Sequence, residues 1–230
     1  MEKIKLFCLP FAGGTKYSYS GFQKVAPPHL ELIPLDLPGR GKRLMEACLT
    51  NVADMVTDVM PTIRSHADQP YALYGHSLGS LLAYLITLQM QKEKLPMPMR
   101  LILTGRGGAS VKRKDAPKYL LPRSEFIQSL REMGGMSDVL ESDELMEFFE
   151  PILRADLQAA ETYVYEAAKP FDVPITVMIG DGEEISQEEA MAWQQESTLP
   201  IDLRILPGNH FFILDHEHEI MKIIGEQLVI

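Results

Sequence analysis

The residues with the clearest chemistry are the five at 75–79, Gly-His-Ser-Leu-Gly, where Ser77 is a potential nucleophile. The run 70–74 before them is typical of a short buried strand, and the run 80–86 after them is typical of a helix. A serine in a tight strand-to-helix turn has a strained backbone, so its neighbours two positions away must be nearly free of side chain. Such a turn aims backbone N–H groups at developing negative charge. The pentapeptide predicts a catalytic Ser77; a glycine-rich turn without chemistry is the alternative.

Two later segments could supply the acid and the base that a serine nucleophile needs, in that chain order. A β-branched run at 175–179 ends in Gly-Asp-Gly-Glu-Glu at 180–184, and a run at 201–206 ends in Pro-Gly-Asn-His-Phe-Phe at 207–212. Each polar segment follows a strand, where open α/β sheets gather their functional residues. The order predicts Ser77 as nucleophile, an acid from 181–184, and His210 as base.

Composition limits the kind of protein. The chain of 230 residues, 46% of them hydrophobic, is long enough for one α/β domain. Its net charge of −10 argues against nucleic acid and anionic membranes as partners. Cys8 and Cys48 give neither a disulfide framework nor metal-ligand spacing. With no signal-like or membrane-spanning run in the sequence, we expect a cytoplasmic protein, a monomer without metal or cofactor.

Strand-like and helix-like runs alternate along most of the chain, which predicts an α/β fold with a mostly parallel sheet. The block at 105–169 breaks the alternation and shows only helix signals, at 124–130, at 142–149 and from Pro151 to about Tyr165. Because this excursion leaves the carboxyl end of a strand, we expect a helical lid over the site, with a flexible joint at 133–136. Helices that only pad the sheet are the alternative.

Several further motifs narrow the family. They are Leu-Pro-Phe-Ala-Gly-Gly at 9–14, Pro-Gly-Arg-Gly-Lys-Arg at 38–43, Met-Gly-Gly at 133–135, Glu-Leu-Met at 144–146, Pro-Ile-Leu-Arg-Ala-Asp at 151–156, Glu-Thr-Tyr at 161–163 and Gly-Asn-His-Phe-Phe at 208–212. Together with the pentapeptide they resemble the type II thioesterases of non-ribosomal peptide and polyketide synthesis. The resemblance implies a single α/β-hydrolase domain over 1–230, with a mostly parallel sheet flanked by helices and a helical lid at about 105–169 between late strands.

The resemblance also implies a function. It is that of a stand-alone editing enzyme, which hydrolyses aberrant or stalled acyl groups from the 4′-phosphopantetheine arm of acyl or peptidyl carrier proteins. Ser77 would be the nucleophile and His210 the general base. The oxyanion hole would combine the N–H of Leu78 with that of Phe11 or Ala12. No cofactor is implied, because the substrate itself carries the 4′-phosphopantetheine.

The triad acid is where the chain departs from the family pattern. The family has an aspartate three residues after the glycine that ends the strand, and counting from Gly180 puts Glu183 there. Asp181 follows that glycine directly and is the runner-up. Glutamate is an accepted third triad member in α/β-hydrolases. We predict Glu183, against the alternative that Glu183 and Glu184 form a solvated charge pair. A second departure, Gly-Arg-Gly-Gly at 105–108, puts the shape of the acyl-pocket mouth in question.

Other functions fit parts of the sequence. Malonyl-type acyltransferases share the pentapeptide but have a longer segment before the serine than the 76 residues here. A general carboxylesterase or lipase would carry a His-Gly-Gly oxyanion loop in place of Pro-Phe-Ala-Gly-Gly at 10–14. A catalytically inactive hydrolase-fold binding protein is the non-enzymatic alternative, which an intact Ser77 and His210 argue against. A basic cluster, Lys112, Arg113, Lys114 and Arg123, is the predicted docking surface for a carrier protein.

Overall fold

The computed structural model describes residues 3–112, 116–134 and 137–229. Within these residues a six-stranded sheet has the order β2-β1-β3-β4-β5-β6, and every pair of neighbouring strands is parallel. The strands are β1 (Ile4–Leu9), β2 (Leu30–Pro34), β3 (Tyr71–His76), β4 (Leu101–Thr104), β5 (Ile175–Gly180) and β6 (Asp202–Leu206). The parallel sheet flanked by helices that the sequence predicts is confirmed.

Helices cover both faces of the sheet. They are α1 (Ser20–Val25), α2 (Val52–Arg64), α3 (Leu78–Glu93), α4 (Arg123–Met133), α5 (Ser137–Leu140), α6 (Asp143–Glu161), α7 (Gln187–Met191), α8 (Phe212–Asp215) and α9 (Glu217–Gln227). One buried cluster joins the sheet to α2 and α3, and a second joins its other face to α1 and α9. Strands β3, β4 and β5 are buried along their whole length, as parallel strands covered on both faces are.

The block at 105–169, here called the helical insertion, contains α4, α5 and α6 and no strand among its described residues. These helices have a small apolar core of their own, formed by Phe126, Leu130, Leu140, Met146, Leu153 and Leu157. The prediction of two helices at 142–149 and from Pro151 onward is wrong, since α6 runs through Pro151. A proline inside a helix removes one backbone hydrogen bond, and the buried residues on both sides of Pro151 offset that loss.

The start of α4 also differs from the sequence interpretation. It begins at Arg123 after Pro122, one residue before the helix signal at 124–130, and has no side-chain cap. In the described part of the chain, no helix is long and apolar enough to cross a membrane.

Candidate active site

Ser77 lies in the turn between β3 and α3, with a φ of 54° and a ψ of −110°. A positive φ is uncommon for a residue with a side chain and marks local strain. A Cβ on Gly75 would lie 2.1 Å from the backbone carbon of Gly79, and a Cβ on Gly79 would lie 2.5 Å from the carbonyl oxygen of Leu9. Both glycines are therefore required by space, as the sequence pattern predicts.

Hydrogen bonds to β4 hold this turn in place. The Ser77 N–H donates to the carbonyl oxygen of Thr104 (2.8 Å). The buried Ser80 hydroxyl donates to the carbonyl oxygen of Gly75 (2.8 Å) and accepts from the Thr104 N–H (3.0 Å). The Ser77 side chain itself faces a cleft that His210 also lines. Among the described residues there is no hydrogen bond between the Ser77 hydroxyl and His210, a contact that is often long in unliganded enzymes.

His210 follows β6 and contacts a carboxylate that follows β5. Its Nδ1 lies 2.7 Å from Oε2 of Glu183, whose side chain is 2% exposed. The second oxygen, Oε1, accepts the Gly180 N–H at 2.8 Å, which fixes the orientation of the carboxylate. Because a carboxylate can only accept, the contact places the imidazole proton on Nδ1 and leaves Nε2 free to accept another.

Asp181 has a different set of partners. Its exposed side chain accepts the Gly208 N–H at 2.9 Å, and its own N–H donates to the carbonyl oxygen of Leu206 at 2.9 Å. These bonds tie the loop after β5 to the loop that carries His210. Glu184 is exposed. Of the three acids at 181–184, the structure brings only Glu183 into contact with the imidazole.

The backbone after β1 offers free donors to the same cleft. Over residues 3–112, 116–134 and 137–229, the N–H groups of Phe11, Ala12 and Leu78 have no acceptor. The next two amides are occupied, since Gly13 donates to Asp156 Oδ2 (2.8 Å) and Gly14 donates to the carbonyl oxygen of Phe11 (2.8 Å). Leu78 begins α3, where helix N–H groups are unsatisfied and the dipole favours negative charge. The choice between Phe11 and Ala12 stays open.

The ring of His76 packs against the ring of His210. Its ring centroid is 4.7 Å from that of His210, and its Nδ1 lies 3.1 Å from the Thr104 hydroxyl. Burial, and then the nearby His210, lower the pKa of His76 well below its usual value, so it adds no positive charge next to His210. Gly105 has a φ of 62°, and a Cβ there would lie 2.2 Å from the His76 ring. Gly105, the first residue of the segment at 105–108, therefore leaves room for the His76 ring.

A buried ion pair beside the cleft was not predicted from the sequence. Arg40, 2% exposed, binds both carboxylate oxygens of Asp156, which is fully buried on α6. Burial raises the pKa of Asp156, and the Arg40 guanidinium opposes that rise. The available signals were the Arg-Ala-Asp and Pro-Gly-Arg-Gly motifs, which identify the residues but not their contact.

The helical insertion forms the apolar wall of the cleft. A Cβ on Gly134, where α4 ends, would lie 2.4 Å from the side chain of Asn209, the neighbour of His210. Residues 135–136 of the predicted joint lie outside the described residues. The side chains that line the cleft are Phe11, Ala12, Ser77, Leu130, Met133, Leu140, Leu153, Leu157, His210 and Phe211. The described residues contain no cluster of three or more His, Cys, Asp or Glu that could hold a metal ion.

The basic cluster predicted as a docking surface is only partly visible. Arg113 and Lys114 lie outside the described residues, and Arg123 forms ion pairs with Glu150 (3.1 Å) and Asp143 (3.7 Å). Much of the positive charge at Arg123 is therefore balanced within the protein.

A parallel sheet with a strained serine after its third strand, and a histidine–carboxylate contact after its last two, defines an α/β-hydrolase. The family model described as "Thioesterase domain" matches residues 4–228, and the chain belongs to this family. The chain is 30% identical over 228 residues to the gramicidin S biosynthesis protein GrsT of Aneurinibacillus migulanus, covering 98% of this chain and 89% of the relative.

Solved structures similar over nearly the whole chain include RedJ and BorB. RedJ, a thioesterase from the prodiginine pathway of Streptomyces coelicolor, has a TM-score of 0.92 and 30% identity, covering 99% of this chain and 86% of its own. BorB, a type II thioesterase from the borrelidin biosynthetic cluster, has a TM-score of 0.90 and 30% identity, covering 99% and 93%. The resemblance to type II thioesterases predicted from the motifs is confirmed.

Proposed function

We propose that this protein is an editing thioesterase that removes aberrant or stalled acyl groups from the 4′-phosphopantetheine arm of carrier proteins in non-ribosomal peptide or polyketide synthesis. The observation that carries the proposal is the contact between His210 and Glu183 (2.7 Å), in a cleft shared with the strained Ser77. The similarity to GrsT, a gramicidin S biosynthesis protein, and to BorB, a type II thioesterase from the borrelidin biosynthetic cluster, supports the substrate class.

In the proposed mechanism the Ser77 hydroxyl attacks the thioester carbonyl carbon while His210 Nε2 takes its proton. The oxyanion that forms accepts hydrogen bonds from the N–H of Leu78 and that of Phe11 or Ala12. The C–S bond then breaks, the pantetheine sulfur leaves as a thiol with the proton from His210, and the acyl group stays on Ser77. Water, deprotonated by His210, releases the acid in a second, equivalent step. Glu183 stabilises the imidazolium in both steps.

The helical insertion would act as the lid in this mechanism. Its leucines present an apolar wall to Ser77, which suits an acyl chain and excludes water from the thioester. The cavity volume of the cleft is about 30 Å³, room for only a few water molecules. An acyl chain and the end of the pantetheine arm need more, so we expect the insertion to move outward when the substrate enters.

Replacing the nucleophile tests this proposal. We expect Ser77→Ala to lose hydrolysis of acyl-loaded carrier protein by a factor on the order of a million while keeping its unfolding temperature. Ser124→Ala, at an exposed serine on α4, is the matched control and should keep full turnover. Acetyl-, aminoacyl- and long-acyl-loaded carrier proteins would be compared with an oxygen ester of the same acyl group.

Three results would count against the proposal. Substantial turnover by folded Ser77→Ala would remove the serine from the mechanism. Efficient hydrolysis of oxygen esters without turnover of any carrier-bound thioester would indicate a general carboxylesterase. A wild-type protein that neither turns over nor reacts with a fluorophosphonate would indicate an inactive binding protein. A carrier protein as partner, a monomeric state and a cytoplasmic location stay predictions.

A further inference from the structure

The loop at 10–14, here called the oxyanion loop, carries both candidate donors that follow β1. It closes on itself through the Gly14 N–H, which donates to the carbonyl oxygen of Phe11 at 2.8 Å. Gly13 has a φ of 75°, a left-handed conformation that glycine adopts without strain. Among the described residues, the other backbone hydrogen bond of this loop is that of the Gly13 N–H, which donates to Asp156 Oδ2 at 2.8 Å. The residue that follows the Phe11 and Ala12 amides is therefore held by a side chain 143 positions away.

Arg40 fixes that side chain. Its Nη1 donates to Oδ2 of Asp156, the oxygen that also accepts from Gly13, and its Nη2 donates to Oδ1 at 2.7 Å. The pair is a two-point contact between residues with 2% and 0% exposure. Neither carboxylate oxygen can turn away without breaking a bond to Arg40, so the position offered to Gly13 is determined.

Stability alone does not explain a pair of this kind. Burying two charges costs several kcal/mol each by desolvation, and apolar side chains of similar volume are often equally stable in their place. The Arg40 Nε is also buried and has no hydrogen-bond partner among the described residues. What an apolar pair could not supply is an acceptor for the Gly13 N–H.

The pair joins three separate parts of the fold. Arg40 lies in the loop after β2, Gly13 lies in the loop after β1, and Asp156 lies on α6 of the helical insertion. The same helix contributes Leu153 and Leu157 to the wall of the cleft. A shift of α6 that opens the cleft would therefore also move the carboxylate that holds the oxyanion loop.

We propose that Arg40 and Asp156 are a positioning pair for the oxyanion loop. They hold Gly13 so that the preceding free amide, of Phe11 or Ala12, is directed at the substrate oxygen, and they couple that geometry to the seated position of α6. Neither side chain touches the reacting atoms. The inference rests on the proposed thioester hydrolysis, and Ser77→Ala tests that hydrolysis separately.

Two uncharged double variants separate positioning from charge. Arg40→Met with Asp156→Leu removes both charges and leaves the Gly13 N–H without an acceptor. Arg40→Gln with Asp156→Asn also removes both charges, but the side-chain oxygen at 156 can still accept from Gly13 and from the amide at 40. Removing an oxyanion donor costs about 100- to 1,000-fold in kcat, and a displaced donor should cost less. We expect a loss of about 10- to 100-fold in the Met/Leu variant and less than about 5-fold in the Gln/Asn variant, with KM nearly unchanged in both.

The readouts distinguish positioning from loss of structure. Turnover is expressed per site that reacts with a fluorophosphonate, so an unfolded fraction does not lower it. Affinity for a tetrahedral boronate should fall in parallel with kcat in the Met/Leu variant, whereas affinity for an unreactive thioether analogue of the substrate should not change. Asp58→Asn is the control, since it breaks the ion pair of Asp58 with Arg43 in the same loop as Arg40 without touching Gly13.

The proposal is overturned if the two double variants have the same kcat, or if the Met/Leu variant has a raised KM and an unchanged kcat. A measurement on the unmodified protein covers the case in which a variant does not fold. The Gly13 amide should exchange with deuterium at least tenfold more slowly than the Phe11 and Ala12 amides. Equal exchange of all three would remove the tie on which the proposal depends.

Discussion

Glu183→Gln should strongly lower turnover by changing which nitrogen of His210 carries the proton. In the wild-type protein both carboxylate oxygens accept, Oε1 from the Gly180 N–H (2.8 Å) and Oε2 from His210 Nδ1 (2.7 Å). A glutamine has the same shape but one oxygen and one NH₂ group. If its oxygen stays on the Gly180 N–H, the NH₂ faces Nδ1, which must then accept, and the proton moves to Nε2. The imidazole can then no longer take the proton from Ser77.

The magnitude follows from this tautomer argument. The equivalent aspartate-to-asparagine change in the chymotrypsin triad lowers kcat by about 10,000-fold, which corresponds to about 5.4 kcal/mol at 1.36 kcal/mol per factor of ten. The alternative orientation of the glutamine would put its NH₂ against the Gly180 N–H, two donors facing each other in a site that is 2% exposed. That option costs too much to rescue the enzyme. We therefore expect a loss in kcat of about 1,000- to 10,000-fold, with little change in KM.

Asp181→Asn is the matched control. The Asp181 carboxylate accepts from the Gly208 N–H in an exposed position, and an asparagine oxygen can do the same. We expect turnover within about threefold of wild type. The assay is release of free thiol from an acyl-phosphopantetheine thioester, with unfolding temperatures measured for both variants. Near-full turnover by Glu183→Gln together with a large loss in Asp181→Asn would refute the reasoning and assign the acid to Asp181.

Three further outcomes are expected. Burial lowers the pKa of His76, so the neutral ring adds stability above the unfolded-state pKa of about 6.5, and below that pH the free energy of unfolding falls by about 1.4 kcal/mol per pH unit. In urea unfolding at pH 7 and pH 5, the free energy of unfolding should depend less on pH in His76→Asn than in the wild type, and an equal pH dependence would contradict this. Gly105→Ala places a Cβ 2.2 Å from the His76 ring at a φ of 62°, and should lower the free energy of unfolding by about 2 kcal/mol or more. The control is Gly107→Ala, where the nearest atom to the new Cβ is 3.3 Å away and the effect should be clearly smaller. Leu153→Ala removes a buried side chain from the cleft wall, so it should lower the free energy of unfolding by about 2 to 5 kcal/mol and raise kcat/KM for long relative to short acyl chains. An unchanged acyl-chain preference would show that Leu153 does not contact the bound acyl group.

Local patterns in the sequence determined most of the fold. Alternating apolar runs specified a parallel sheet, because strands buried on both faces are continuously apolar and need crossover helices between them. The two glycines around Ser77 specified the turn, because a Cβ at either would collide with backbone. These signals act within a few residues, so they can be identified without knowing what lies across the fold. Helix α6 is the exception, because its continuation through Pro151 depends on burial on both sides.

The site required tertiary structure wherever the partners are far apart in the chain. Counting from Gly180 favoured Glu183 as the triad acid but left Asp181 as an alternative. The tertiary structure separates the two, because the Asp181 carboxylate accepts from the Gly208 N–H in the loop after β6, whereas Glu183 contacts the imidazole of His210. The pairing of Arg40 with Asp156 bridges 116 positions. No periodicity or local motif encodes such a contact, since it exists only when the sheet brings two loops and the helical insertion to the same edge.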